Sequence, residues 1–285
     1  MIKPFAGFKG SRPGRNLLAI LLGAAFAGSM IPQAEAVTNG IEDGEAHPHV
    51  GLVVFYDAEG NPLWRCSGTL ISPTVFLTAG HCAEGPAALA RVYFDPEVIR
   101  SDDNYPFHNG YTGKVIPNPE LGYGARGIGK NPVLLHDVAG VILDEPVDLP
   151  VYGALPAEGY LDKPTGPANK NLVFDVVGYG VQDIRPELQA DLVRYAATSK
   201  RITEKNSVTE GIYLMLSEDR GAPHGAGGTC FGDSGGPTFV KGSNIIVALT
   251  SWGVDGNCAG PGYAFRIDTA ESLNFINLFL LVPLP

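Results

Sequence analysis

A chain of 285 residues is long enough for one large core or two modest ones. Its 37 glycines and 23 prolines, about a fifth of all residues, argue against a helical bundle and for short strands joined by turns. With 20 basic against 30 acidic residues the formal charge is −10, which argues against a nucleic-acid partner because phosphate binding needs a basic face.

Residues 1–36 read as a leader rather than as fold. Lys3, Lys9, Arg12 and Arg15 open it without an acid, Leu17–Met30 is uncharged and mostly apolar, and Ala34 and Ala36 supply the small residues of a cleavage site. The apolar run is shorter than the ~20 residues that span a bilayer, so a mature anchor is not expected. Cleavage after Ala27 instead would leave 28–36 as a short propeptide. Export puts the four cysteines in an oxidising compartment, where three pairings are open to them.

Short β-branched or aromatic runs bounded by turn residues then predict twelve strands. The first six fall at 51–56, 65–71, 75–79, 90–94, 113–116 and 138–143. The second six fall at 172–177, 193–198, 211–216, 237–240, 244–252 and 262–267. Between the two groups, Pro146, Pro150, Pro156, Pro164 and Pro167 mark a linker that divides the mature chain into 37–150 and 151–285. One helix is expected, at the C-terminus, with Asp268 and Glu271 spaced as a cap and Thr269, Leu273, Ile276 and Leu280 on one face.

Three local patterns carry chemistry. Cys230-Phe231-Gly232-Asp233-Ser234-Gly235-Gly236-Pro237 sets a serine between glycines, as a hydroxyl on a tight turn with nearby backbone N–H groups requires. Alone it also fits the nucleophile elbow of an α/β-hydrolase, but that architecture needs a histidine after the serine, and all six histidines precede Ser234. Leu77-Thr78-Ala79-Gly80-His81-Cys82 ends a predicted strand on a histidine, and His136-Asp137-Val138-Ala139 sets an acid before an apolar run. His136 is read as structural, and His47 and His49 as surface residues at the entry to the first strand. The sequence shows no metal cluster, and Asp102, Asp103 and Glu120 do not make a calcium loop.

With Ser251-Trp252-Gly253 downstream, these motifs resemble the trypsin/chymotrypsin family of serine endopeptidases, over nearly the whole chain from Val37 to the terminal helix. The resemblance implies an all-β fold of two six-stranded antiparallel β-barrels with a C-terminal helix, in agreement with the strand count. It assigns nucleophilic attack to Ser234, proton transfer to His81, orientation of the imidazole to Asp137, and the oxyanion hole to the N–H groups of Gly232 and Ser234. It selects Cys66–Cys82 and Cys230–Cys258 as disulfides, and pairs the α-amine of Val37, freed by cleavage after Ala36, with Asp233. Thr38 and Asn39 depart from the family's usual N-terminus.

Around the substrate, the resemblance puts Gly228 at the pocket floor where trypsins carry an aspartate. It puts Gly253 and Gly262 in the walls, with Ser251 and Trp252 beside them and Ser251 bonded to Asp137. An open, uncharged slot predicts large apolar side chains before the cut bond, with Asp255 as the alternative partner for a lysine or arginine. The implied protein is a secreted monomer, extracellular or periplasmic, acting on polypeptides and open to protein protease inhibitors, with no cofactor, metal or mature membrane segment. A binding protein of the same fold without catalysis, which typically lacks one of the three residues, and a membrane-tethered protease are the rival classes.

Overall fold

The chain is described by a computed structural model over residues 36–98, 105–128, 131–162, 172–184, 188–204, 210–218 and 227–281. The leader up to residue 35, with Asp102 and Asp103, lies outside the described residues. In chain order the strands are β1 (Ile41–Glu42), β2 (Val50–Tyr56), β3 (Pro62–Ser72), β4 (Val75–Thr78), β5 (Leu89–Tyr93), β6 (Tyr111–Ile116), β7 (Gly122–Ile128) and β8 (Asn131–Leu135). They continue with β9 (Ala139–Leu143), β10 (Val173–Gly178), β11 (Tyr195–Thr203), β12 (Tyr213–Ser217), β13 (Pro237–Val240), β14 (Ile246–Gly253) and β15 (Pro261–Arg266).

Strands β2-β3-β4-β9-β6-β5 close into one antiparallel barrel. Strands β11-β10-β13-β14-β15-β12 form the second, closed by the β11–β12 pairing, and β1 adds outside β11. The fold is therefore the two six-stranded antiparallel barrels that the resemblance implies. Every residue of β2 is buried, because the strand has a barrel interior on one side and neighbouring structure on the other; its run VGLVVFY carries no charge. Val53, Phe55, Leu70, Phe76, Val92 and Val141 fill the first barrel, and Phe174, Val176, Leu214, Leu216 and Val247 the second. A further apolar cluster draws Leu52 and Leu77 from one barrel together with Tyr179, Phe239 and Leu249 from the other half of the chain. Each such side chain is worth about 1.5–3 kcal/mol when removed from water.

Three strands are additions to the sequence reading. β1 is two residues long, and the hairpin β7–β8 stands apart from both barrels. The segment 144–162, within the expected linker, contains no strand. Among the described residues no helix is long and apolar enough to cross a membrane.

The terminal helix, Ala270–Leu280, is where it was expected but is capped differently. Thr269, not Asp268, is the N-cap: its Oγ1 accepts the Ser272 N–H at 3.2 Å. Asp268 is consumed elsewhere, accepting from the Leu161 N–H at 2.8 Å and from the Arg266 guanidinium at 2.9 Å. The buried face is Ser272, Ile276 and Phe279, while Leu280 is exposed. Phe279 packs on β9 at Gly140, where a Cβ would come within 2.8 Å of its ring.

The expectation that His47 and His49 are surface residues is also corrected. His49 is buried edge-on to Phe239, and burial pushes its pKa down to about 4, so it is neutral. His47 stacks on Phe239 and meets Asp43 at 2.5 Å. Asp43 also takes the Nε–H of the fully buried Arg194 at 2.9 Å. The Arg194 guanidinium donates in addition to the carbonyls of Val50 at 3.0 Å and Phe94 at 2.9 Å, so one cation ties the segment leading into β11 to the first barrel.

Candidate active site

His81 sits on a 3-10 turn, Gly80–Ala83, that follows β4. This turn can approach the Asp137 segment because residue 80 is glycine: a Cβ there would come within 3.0 Å of the Val138 nitrogen and 3.1 Å of Asp137 Cα. Asp137 is held in a tight turn before β9, in which His136 has φ 57° and its carbonyl accepts the Val138 N–H at 2.8 Å. The Asp137 carboxylate accepts the His81 backbone N–H at 2.8 Å and faces His81 Nδ1 at 3.0 and 3.1 Å. Ser251 donates its hydroxyl to the same carboxylate, and Tyr213 lies behind with its OH 3.2 Å from Ser251 Oγ and 3.0 Å from the Leu134 carbonyl.

These contacts fix the protonation states. Burial pushes the Asp137 carboxyl up, but the His81 imidazole, the Ser251 hydroxyl and the His81 N–H together hold it below the usual range. Burial lowers the His81 pKa, and the Asp137 charge more than reverses this, so the imidazole titrates above 6.5. A proton shared between Nδ1 and an ionised Asp137 leaves Nε2 as the free base.

The Ser234 loop is clamped to the first barrel. Ser67 donates its N–H to the Ser234 carbonyl at 2.8 Å and its hydroxyl to the Gly232 carbonyl at 2.9 Å. Gly235 has φ 79°, and a Cβ on it would come within 2.2 Å of Thr78 Oγ1 and 2.6 Å of the Ala79 nitrogen. Only a residue without a side chain brings this turn so close to the end of β4, beside the His81 turn. Among the described residues, the Ser234 hydroxyl and the N–H groups of Gly232 and Ser234 have no hydrogen-bond partner, and none joins Ser234 to His81. Free donors beside a free hydroxyl suit an oxyanion developing there, and nucleophile–base contacts often tighten only on a bound substrate.

Ser234, Ser251, Trp252 and Gly253 line one cavity of about 360 Å³, together with Glu218, Thr229 and Asp255. Trp252 stacks on Tyr263 with ring centroids 4.0 Å apart. The expected uncharged floor is corrected here. Gly228 does not line the cavity; a Cβ on it would fall 2.3 Å from Glu218 Cβ, and the Glu218 carboxylate lies over Gly262. An acid closing a strand reads from sequence as a solvent-facing turn residue, so nothing local pointed to Glu218. Asp255 is turned into its own loop, where it accepts the Asn257 N–H at 2.9 Å.

The structure joins Cys66 to Cys82 and Cys230 to Cys258. It does not join Val37 to Asp233. With Ala36 attached the Val37 nitrogen is a peptide amide, and Asp233 instead accepts the N–H groups of Gly180 and Cys230, each at 2.8 Å. Burial pushes the Asp233 carboxyl up to about 7 against these bonds and the field of Arg65. His136 pairs with Glu271 of the terminal helix at 3.1 Å, in keeping with its structural reading. With Glu120 they form a cluster of two exposed acids and a half-buried histidine whose ligand atoms lie within 4.8 Å of one another, a grouping not evident from the sequence.

The family model described as Trypsin matches residues 40–276. A trypsin of Saccharopolyspora erythraea is 28% identical over 229 residues, covering 78% of this chain and 88% of that protein. The serine protease Hayan of Drosophila melanogaster is 26% identical over 262 residues, covering 80% of this chain; the chain spans only 37% of Hayan's length. The solved structure of HL collagenase superposes with a TM-score of 0.63 at 18% identity, covering 87% of this chain and all of that one.

Proposed function

This chain belongs to the trypsin family, serine endopeptidases that hydrolyse polypeptides, and from that premise we propose that Ser234, His81 and Asp137 are its catalytic residues. The observation that carries the reading is the buried Asp137 carboxylate gripping His81 through both Nδ1 and the backbone N–H, beside the clamped loop of Ser234. Ser234 Oγ attacks the scissile carbonyl as its proton passes to His81 Nε2. The resulting oxyanion takes the N–H groups of Gly232 and Ser234, an interaction worth about 3–4 kcal/mol per donor. The C–N bond then breaks as His81 returns the proton to the leaving amine, and a water, activated by the same imidazole, hydrolyses the acyl-enzyme. Asp137 keeps the proton on Nδ1 and stabilises the imidazolium.

Covalent labelling tests this. Diisopropyl fluorophosphate is expected to modify Ser234 stoichiometrically, read as a mass shift on its peptide. Because His81 must be neutral and titrates above 6.5, the labelling rate rises with pH, reaches half its maximum above pH 6.5 and falls about tenfold per unit below. Labelling on another residue, or a rate flat between pH 5 and 8, overturns the assignment.

The reading extends to maturation. Residues 37–150 and 151–285 act as the two halves, 1–36 directs export to the extracellular or periplasmic space, and the mature enzyme is a monomer open to protein inhibitors. Cleavage after Ala36 activates it. Val37 is fully buried with φ 51°, a strained value for a β-branched residue, and cutting its peptide bond to Ala36 removes that constraint. The freed amine is then available to Asp233, which ionises with difficulty while it lacks such a partner. N-terminal sequencing of active enzyme is expected to begin at Val37; full activity in a chain that retains residue 36 refutes the pairing.

A further inference from the structure

A buried acid that the triad chemistry does not use lies in the wall of the Ser234 cavity. Glu218 follows β12 and is 4% exposed. A Cβ on Gly262 would come within 2.0 Å of its Oε1, and one on Gly253 within 3.6 Å of its Oε2, so glycines keep open the space that the carboxylate occupies. Thr229 donates its hydroxyl to Oε1 at 2.6 Å. The same cavity, about 360 Å³, is lined by Ser234, so a side chain that fills it belongs to the residue beside the bond under attack.

Among the described residues no cation pairs with Glu218. Burial pushes its carboxyl up to about 7; Thr229 opposes the shift and the charge of Asp233 adds to it. Among the described residues, the other ionisable side chain lining this cavity is Asp255, bonded within its own turn; Tyr263 lies behind the cavity wall, stacked on Trp252. A buried carboxylate with unused acceptor positions and no counter-charge favours a cationic occupant, whereas an apolar one leaves the charge uncompensated.

We propose that Glu218 is the specificity-determining group of this cavity and receives the guanidinium or ammonium of an arginine or lysine immediately before the scissile bond. The proposal rests on the reading of Ser234 as nucleophile. It replaces the apolar preference expected from sequence, and it draws the carboxylate from the end of β12 rather than from the floor position, Gly228. An apolar residue is accepted only when Glu218 carries a proton, so selectivity is coupled to pH.

The test is kcat/KM on matched peptides that differ only in Arg, Lys, Phe or Leu before the cut bond, measured from pH 6 to 9 on enzyme purified after export of the full chain. Both substrates of a pair use the same triad, so the Arg/Phe ratio cancels the titration of His81. The ratio is expected to exceed one at pH 8 and to fall as pH drops through about 7, by up to tenfold per unit. Glu218→Gln is expected to lower it at least ~30-fold at pH 8 and to weaken competitive inhibition by benzamidine, a planar aryl cation, by a similar factor. Organophosphate labelling of Ser234 in the same preparations separates the two readings. Unlabelled wild-type enzyme overturns the triad assignment and this proposal with it. Labelled wild-type enzyme with a ratio below one, or a ratio flat with pH, overturns the role of Glu218 alone, and this arm needs no variant to fold.

Discussion

Ser234→Ala is expected to lower kcat/KM by about 10⁵–10⁶-fold while peptide binding changes little. The substitution removes only Oγ, which makes no hydrogen bond among the described residues, so no partner is orphaned and the loop's clamps, through the carbonyls of Ser234 and Gly232, remain. The N–H groups of residues 232 and 234 persist, and with the substrate cavity they should sustain a residual rate about 10³–10⁴ above that in water. Steady-state kinetics on a fluorogenic peptide, with inhibitor affinity measured in parallel, checks both halves. A variant that keeps a tenth of the activity would mean that the attacking group is elsewhere.

Asp137→Asn is expected to reduce kcat by about 10⁴ near neutral pH with KM nearly constant. The shape is unchanged, and an amide oxygen can still accept the His81 backbone N–H that now comes at 2.8 Å. What changes is the second bond. An amide NH₂ toward His81 Nδ1 donates where the carboxylate accepted, which drives the imidazole proton onto Nε2 and removes the base. The field that lifts the His81 pKa is lost as well, so the imidazole of the variant titrates lower, and NMR titration of its ring protons should show this shift. A small loss in kcat, or an unmoved titration, would reduce Asp137 to a packing role. On the proposed mechanism the two variants differ in kind: one removes the attacking hydroxyl, and the other leaves it in place without a proton acceptor.

Much of the barrel architecture was legible because a closed barrel demands an apolar inner face, and runs such as GLVVFY or NIIVALTSW satisfy that demand locally. What escaped had no such local demand. β7, GYGARGI, mixes three glycines with an arginine, and β8 carries Pro132 near its start, so neither shows alternation; their pairing comes from being neighbours along the chain. The cap of the terminal helix lies one residue later than its sequence suggests because Asp268 and Thr269 both suit the role, and only the nearby Arg266 and the Leu161 N–H decide which one is free. His49 reads as a surface residue beside a proline until Phe239, from the other barrel, is found against it.

From sequence alone came the order of His81, Asp137 and Ser234, the glycines on either side of the serine, the cysteine pairs chosen by resemblance, and the family. These are properties of short segments, in which backbone conformation and residue type are bound together. The tertiary structure alone supplied Tyr213 behind Ser251, Arg194 across the seam, and above all the carboxylate of Glu218 in a cavity whose floor and walls read as bare glycine. A side chain's neighbours from distant strands leave no mark in its own surroundings along the chain; burial and the field of those neighbours set its charge, and both exist only once the barrels have closed.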